Sequence, residues 1–227
     1  MRLVTTGGKP KPFTWSYSKL KNYETCPKRY YNIDVAKKFK EEESDQLSYG
    51  NNLHKALAEA IDGKKPLPPS FQKLQPWVDR VATGTGKVLV EQQLAITADF
   101  TPTTWFGDDV WFRGVVDVLK IVGPVALVMD WKTGKILEDG VQLALFAQCV
   151  FSHHPEVQKI RTEFIWLKED AKTRADFSRA DMVSVWGGLM PRVQMLKNAH
   201  ASMEFPPKPQ GLCKRYCPVS SCPHYGE

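Results

Sequence analysis

The sequence has no long apolar run. Hydrophobic residues make up 42% of it, yet nowhere do they approach the ~18 in a row that a membrane span requires. Nor does an apolar stretch follow the opening MRLVTTGGKPKPF, so nothing there reads as a secretory signal. Both absences point to a soluble, cytoplasmic protein. Cysteine is scarce: Cys26, Cys149, Cys213, Cys217 and Cys222 are an odd set of five, which argues against a disulfide framework and leaves metal or redox chemistry. A phosphate-binding loop is lacking too. TGTGKV has Val81 where a Walker A motif needs its first glycine and Val88 where it needs Ser or Thr, so no ATPase motor is expected. Internal repeats and low-complexity segments are absent as well.

What is present is enough for one substantial domain, 1–227. The 31 Lys and Arg against 25 Asp and Glu give +6, a balance suited to a polyanion partner. Leu20, Tyr23, Cys26 and Tyr30 fall at helical spacing, with Ser16 or Ser18 as N-cap and Pro27 starting a second short helix. GNNLHKALAEAIDG reads as an amphipathic helix stopped by Gly63, and a further helix is expected over Phe71 to about Val81. KVLVEQQLAI, DVWFRGVVDVLKIV and VALVMDW read as strands. A nearly all-apolar helix (DGVQLALFAQCVFSHH), a fourth strand (VQKIRTEFIWL) and a long helix that Pro191 would kink complete the order. The pattern predicts an α/β fold with helices packed over a central sheet: a helical part at 14–83, a core at 87–200 and a Cys-rich tail at 205–227.

The third strand ends on Asp130 and Lys132. Strand alternation sends these two to one side and Trp131 to the other, and a neighbouring strand brings Asp117 beside them. Two carboxylates that close repel unless something neutralises them, and a hard divalent cation such as Mg²⁺ does so through oxygen ligands. Lys132 would then orient a water or stabilise charge on a phosphate. Glu91, on the first strand, is a third and weaker acidic candidate that reads first as an exposed strand glutamate, and Cys149 reads as a core residue. Trp105, Phe106 and Trp111 flank a turn and read as strand-packing aromatics, with stacking on single-stranded bases as the alternative.

These residues resemble the PD-(D/E)XK nuclease superfamily, in particular its RecB-like branch with AddB-type and CRISPR-associated members. The match runs through His54 in GNNLH, Asp117 in RGVVD, Asp130 and Lys132 in DWKTGK, and Gln142 in VQLALF, with YSKLKNYETCPKRYY similar to the helical opening of such nucleases. Phe146 stands where these proteins commonly carry tyrosine. The resemblance implies a restriction-endonuclease-like core with a mixed sheet flanked by helices. It implies a DNA nuclease, an exonuclease favouring single strands or free ends, serving recombination, repair or phage DNA processing with a protein partner. It implies Mg²⁺ or Mn²⁺ held by His54, Asp117 and Asp130, with Lys132 and Gln142 completing the catalytic set. It also implies a 4Fe–4S cluster on Cys26, Cys213, Cys217 and Cys222 that fastens the tail to the first helices. Zn²⁺ is the alternative there, with His224 as a substitute ligand. A non-catalytic nucleic-acid-binding protein with a structural zinc site is the rival reading. A thiol oxidoreductase is disfavoured, because Cys213 and Cys217 lack the two-residue spacing of a redox pair.

Overall fold

The computed structural model describes residues 12–41, 44–136 and 140–227. Residues 1–11, most of the opening stretch, and Asp139 at the start of the apolar helix lie outside them. Chain order runs α1 (Tyr17–Thr25), α2 (Pro27–Tyr30), α3 (Asp45–Ile61), α4 (Gln75–Ala82), β1 (Lys87–Ile96), β2 (Pro102–Thr103), β3 (Phe112–Val122), β4 (Val125–Lys132), α5 (Val141–His153), β5 (Lys159–Trp166), β6 (Ala171–Ser178) and α6 (Asp181–Ser202). Among the described residues no helix is long and apolar enough to cross a membrane.

Local chemistry sets the helix ends. The Ser16 hydroxyl accepts from the Lys19 N–H and starts α1, Cys26 breaks it in an extended conformation, and Pro27 opens α2. Ser44 caps α3 by accepting from the Leu47 N–H, so this helix begins earlier than the amphipathic stretch predicts. It stops at Gly63, whose positive φ of 67° suits the glycine that follows a helix. The segment expected as one helix from Phe71 opens instead as a 3-10 turn, Pro69–Leu74, before α4. Pro191 does not interrupt α6, which is continuous from Asp181 to Ser202.

The sheet is mixed, in the order β2-β1-β3-β4-β5-β6. Only β4 and β5 are parallel, and α5 makes the crossover between them. Leu119, Val128, Leu145, Cys149, Trp186 and Leu196 belong to the core shared with α5 and α6. Leu53, Leu57, Val78, Val118, Met129 and Trp131 form a second core, under α3 and α4. Helices on both sides of a six-stranded mixed sheet make this a restriction-endonuclease-like α/β fold. Nine residues of α5 are buried, in keeping with its all-round apolar sequence.

After α6 the chain returns to the first helices. Lys208 Nζ donates to the Glu24 carbonyl and Gln210 Nε2 to the Thr25 carbonyl, both at 2.7 Å, while the Lys28 N–H donates to the Pro206 carbonyl. The tail is ordered by turns and one 3-10 segment, Gly211–Lys214, with Val219 as its buried anchor.

Candidate active site

Strand register lines up the site. β1 and β3 pair Val90 with Val118 and Gln92 with Val116, which sets Glu91 opposite Asp117. The β3–β4 ladder ends at Val118 and Met129, one step before Asp117 and Asp130, and β5 sets Phe164 against Asp130. Glu91, Asp117, Asp130 and Phe164 therefore form one row across four strands. Where the β3–β4 ladder stops, a side chain takes its place: Asp117 Oδ2 accepts the backbone N–H of Trp131 at 2.8 Å. That bond fixes the carboxylate relative to the end of β4.

α3 brings His54 to the same oxygen, with Nδ1 3.2 Å from Asp117 Oδ2. Burial disfavours charge on His54, but its hydrogen bond to Asp117 and the field of Asp117, Asp130 and Glu91 outweigh it and raise its pKa. Burial, and then the charge of Asp117, push the Glu91 carboxyl upward against the opposing pull of His54. Asp130 is 5% exposed, and burial followed by repulsion from Asp117 drives its carboxyl well above the ordinary range despite the Lys132 ammonium.

Lys132 is held from three sides. Its Nζ lies 2.6 Å from Asp130 Oδ2, donates to Gln142 Oε1 at 3.0 Å and stands 4.5 Å from the centre of the Phe164 ring. Gln142, at the start of α5, also reaches Asp130 Oδ1 with Nε2 at 3.5 Å. Asp130 Oδ2 is buried, and the Lys132 ammonium is its ion-pair partner.

Among the described residues, the ligand atoms drawn within 4.8 Å of one another belong to His54, Glu91 and Asp117, while Asp130 adjoins the group as the partner of Lys132. An imidazole and two carboxylates fit a divalent cation. Glu91, the weakest of the three acidic candidates in the sequence, takes the place beside His54 and Asp117. Its φ of 49° puts a non-glycine residue in the left-handed region at the rung opposite Asp117, and neither that conformation nor the pairing is visible in LVEQQL. An open cleft of about 670 Å³ leads to the group, lined by Asn51, His54, Lys55, Val90, Glu91 and Thr133 among others.

Other expected residues take varied places. Cys26, Cys213, Cys217 and Cys222 line one small pocket under the tail, with His224, Lys28, Arg29 and Lys208. Cys149 is fully buried in the core, and burial raises its thiol pKa. Phe146 is buried at 3% exposure and packs beside Gly114. Trp111 packs against Trp15, Phe100 and Trp186, whereas Phe106 is 85% exposed.

The family model of the PD-(D/E)XK nuclease superfamily matches residues 14–106 and 71–223 of this chain. The protein belongs to that superfamily, whose members typically use divalent metals. Among solved structures it is similar to a Eubacterium rectale protein provisionally named an exonuclease, at 14% identity and a TM-score of 0.49, over 94% of this chain and 91% of that one. It is also similar to the protein SSO0001, at 18% identity and a TM-score of 0.43, over 96% and 90% of the two chains. No curated protein matches the sequence significantly.

Proposed function

We propose that this protein is a metal-dependent DNA nuclease, an exonuclease that acts on single strands or free ends. One observation carries the reading: a ligand group of His54, Glu91 and Asp117 adjoins an ammonium that Asp130 and Gln142 fix in place. His54, Glu91 and Asp117 would hold Mg²⁺ or Mn²⁺, with the neighbouring Asp130 carboxylate as a further ligand. Such an ion lowers the pKa of a bound water and polarises a phosphoryl oxygen. Hydrolysis adds water across a phosphodiester: a water oxygen bonds to phosphorus, the bond from phosphorus to one sugar oxygen breaks, and the water's protons end on the departing oxygen and on solvent. Lys132 is placed to stabilise the negative charge that builds on the phosphate oxygens. Gln142 and Asp130 restrict its motion, so little reorganisation is needed as that charge develops.

Incubation of end-labelled single- and double-stranded DNA with Mg²⁺, Mn²⁺ or EDTA tests this. Cleavage is expected with metal alone, shortening labelled ends stepwise. Lys132→Ala is expected to lower the rate by about 10²–10³-fold with the circular dichroism spectrum unchanged. Full activity in Lys132→Ala overturns the mechanism, and DNA that is bound but never cut replaces the enzyme with a binding module.

At the tail, the proposal is a 4Fe–4S cluster on Cys26, Cys213, Cys217 and Cys222. The shared pocket supports it. Zn²⁺ on the same thiolates, with His224 as a substitute ligand, is the alternative. Iron, sulfide and zinc contents of protein purified without oxygen decide between the two.

A further inference from the structure

Gln142 faces the catalytic row on one side and a groove on the other. This groove, of about 310 Å³, runs between the start of α5 and the start of α1, with Ser16, Ser18, Gly114 and Phe146 along it and Trp105 and Arg113 beyond. At Arg113 it meets a second, wider depression of about 840 Å³, lined by Lys19, Phe106, Lys197 and His200. Together they make a path that starts at the active site and ends on the Trp105–Phe106 turn.

The turn is closed by hydrogen bonds and displays an aromatic ring to water. Gly107 N–H donates to the Thr104 carbonyl at 2.9 Å, and Thr103 Oγ1 donates to Asp109 Oδ1 at 2.5 Å. A Cβ on Gly107 would come within 2.8 Å of both of those side-chain oxygens, so glycine is required for the turn to close so tightly. Arg113 Nη1 donates to the Trp105 carbonyl at 3.2 Å, and its guanidinium carbon lies 5.3 Å from the centre of the Trp105 ring. A structural aromatic would be turned inward, but Phe106 points out. Arg113, Lys19 and Lys197 supply positive charge along the path, against the carboxylates of Asp34 and Asp108. Asp34 already accepts from Asn22 Nδ2 at 3.1 Å. Burial, and then Arg113, lower the pKa of Lys19, a cation therefore placed where an anion would stabilise it.

We propose that this path binds the single-stranded part of a nucleic-acid substrate on its way to the active site, with bases stacked on Phe106 and Trp105 and phosphates at Arg113, Lys19 and Lys197. The inference rests on the nuclease reading and adds the means by which single strands are chosen. An aromatic face accepts any base, and cations in series follow a backbone, so the path selects for strandedness and not for sequence. A duplex keeps its bases stacked inside and offers Phe106 nothing to stack on.

The test is fluorescence anisotropy of labelled oligothymidylate and of a duplex of equal length, in EDTA so that binding is read apart from cleavage. Phe106→Ala is expected to weaken single-strand binding about 5- to 100-fold, the range that base–aromatic stacking gives, while duplex binding changes less than twofold. Phe106 is too exposed for its loss to unfold the chain. Lys197→Gln, the second variant, is expected to reduce the slope of log K against log salt by about 0.7, one phosphate contact on a single strand. Metal-dependent cleavage by the wild type, with unchanged single-strand binding in both variants, overturns the path and leaves the nuclease standing, with Phe106 then a contact for another protein. Wild-type protein that neither binds nor cleaves any nucleic acid overturns both.

Discussion

Glu91 has a left-handed backbone, as do Lys37, Phe100, Asp170 and Met203, but it alone of these stands opposite Asp117. A left-handed backbone at a residue with a Cβ costs ~1–2 kcal/mol, and its carboxylate sits against that of Asp117. Such strain persists only where the surroundings enforce it, and it clusters at functional sites. Two substitutions separate the backbone from the carboxylate. Glu91→Gly relieves the φ and the repulsion, so the melting temperature should equal or exceed that of the wild type while metal-dependent cleavage falls at least tenfold. Glu91→Gln keeps the strain and should raise the Mn²⁺ concentration needed for half-maximal activity, which titration of the metal would show. A Glu91→Gln protein with wild-type metal response would make Glu91 a bystander. Asp130 and Lys132 were legible because their relation is local, two residues along one strand. Asp117 followed from strand adjacency, His54 and Gln142 needed the family resemblance to be gathered, and Glu91 stayed a weaker candidate because a backbone angle and a partner strand define its place.

Among the elements, α4 and β5 are joined by a buried charge. Glu163 is 1% exposed; Arg80 Nη2 donates to its Oε1 at 3.2 Å and lies 2.9 Å from its Oε2. Removing one member of such a pair leaves an uncompensated buried charge, whereas replacing both with apolar groups restores much of the stability. Arg80→Ala should therefore lower unfolding free energy by about 3 kcal/mol, and Arg80→Met with Glu163→Leu should recover most of it, both read from urea denaturation. A double variant no more stable than Arg80→Ala would show that the ion pair itself holds α4 in place. The elements also show where hydrophobic pattern loses its grip. β6 was missed because Lys172, Arg174 and Asp176 alternate along an edge strand whose pairing with β5 supplies its order. β2 was missed because two residues carry no period. The continuity of α6 through Pro191 depends on packing by Trp186, Leu189, Val193 and Leu196, which local propensity does not contain.

On the scale of the whole molecule, the tail joins the first helices through Phe205, whose ring stacks on Tyr31 at 4.9 Å, and through hydrogen bonds. Val219 is the tail's buried hydrophobic residue, and backbone carbonyls at Glu24 and Thr25 take the hydrogen bonds of Lys208 and Gln210. If a cluster joins Cys26 to Cys213, Cys217 and Cys222, Cys26→Ser and Cys213→Ser should have the same effect. Limited proteolysis should then cut within 206–227 in either variant and in protein stripped of metal, leaving the sheet resistant. Protection of the tail in Cys26→Ser would show that hydrogen bonds alone suffice. The α/β layering could be read from the order of periodicities, but the return of the tail could not, since prolines and cysteines have no face to match.

That return has a consequence for synthesis on the ribosome. Glu24 and its partner Lys208 are 184 positions apart, so the first helices leave the exit tunnel long before the residues that complete their surroundings are made. Until then Cys26 is an uncovered thiol on a half-docked helix, while α3, α4 and the sheet already have the chain they need. This corner therefore completes its packing only after residues 206–210 have been made.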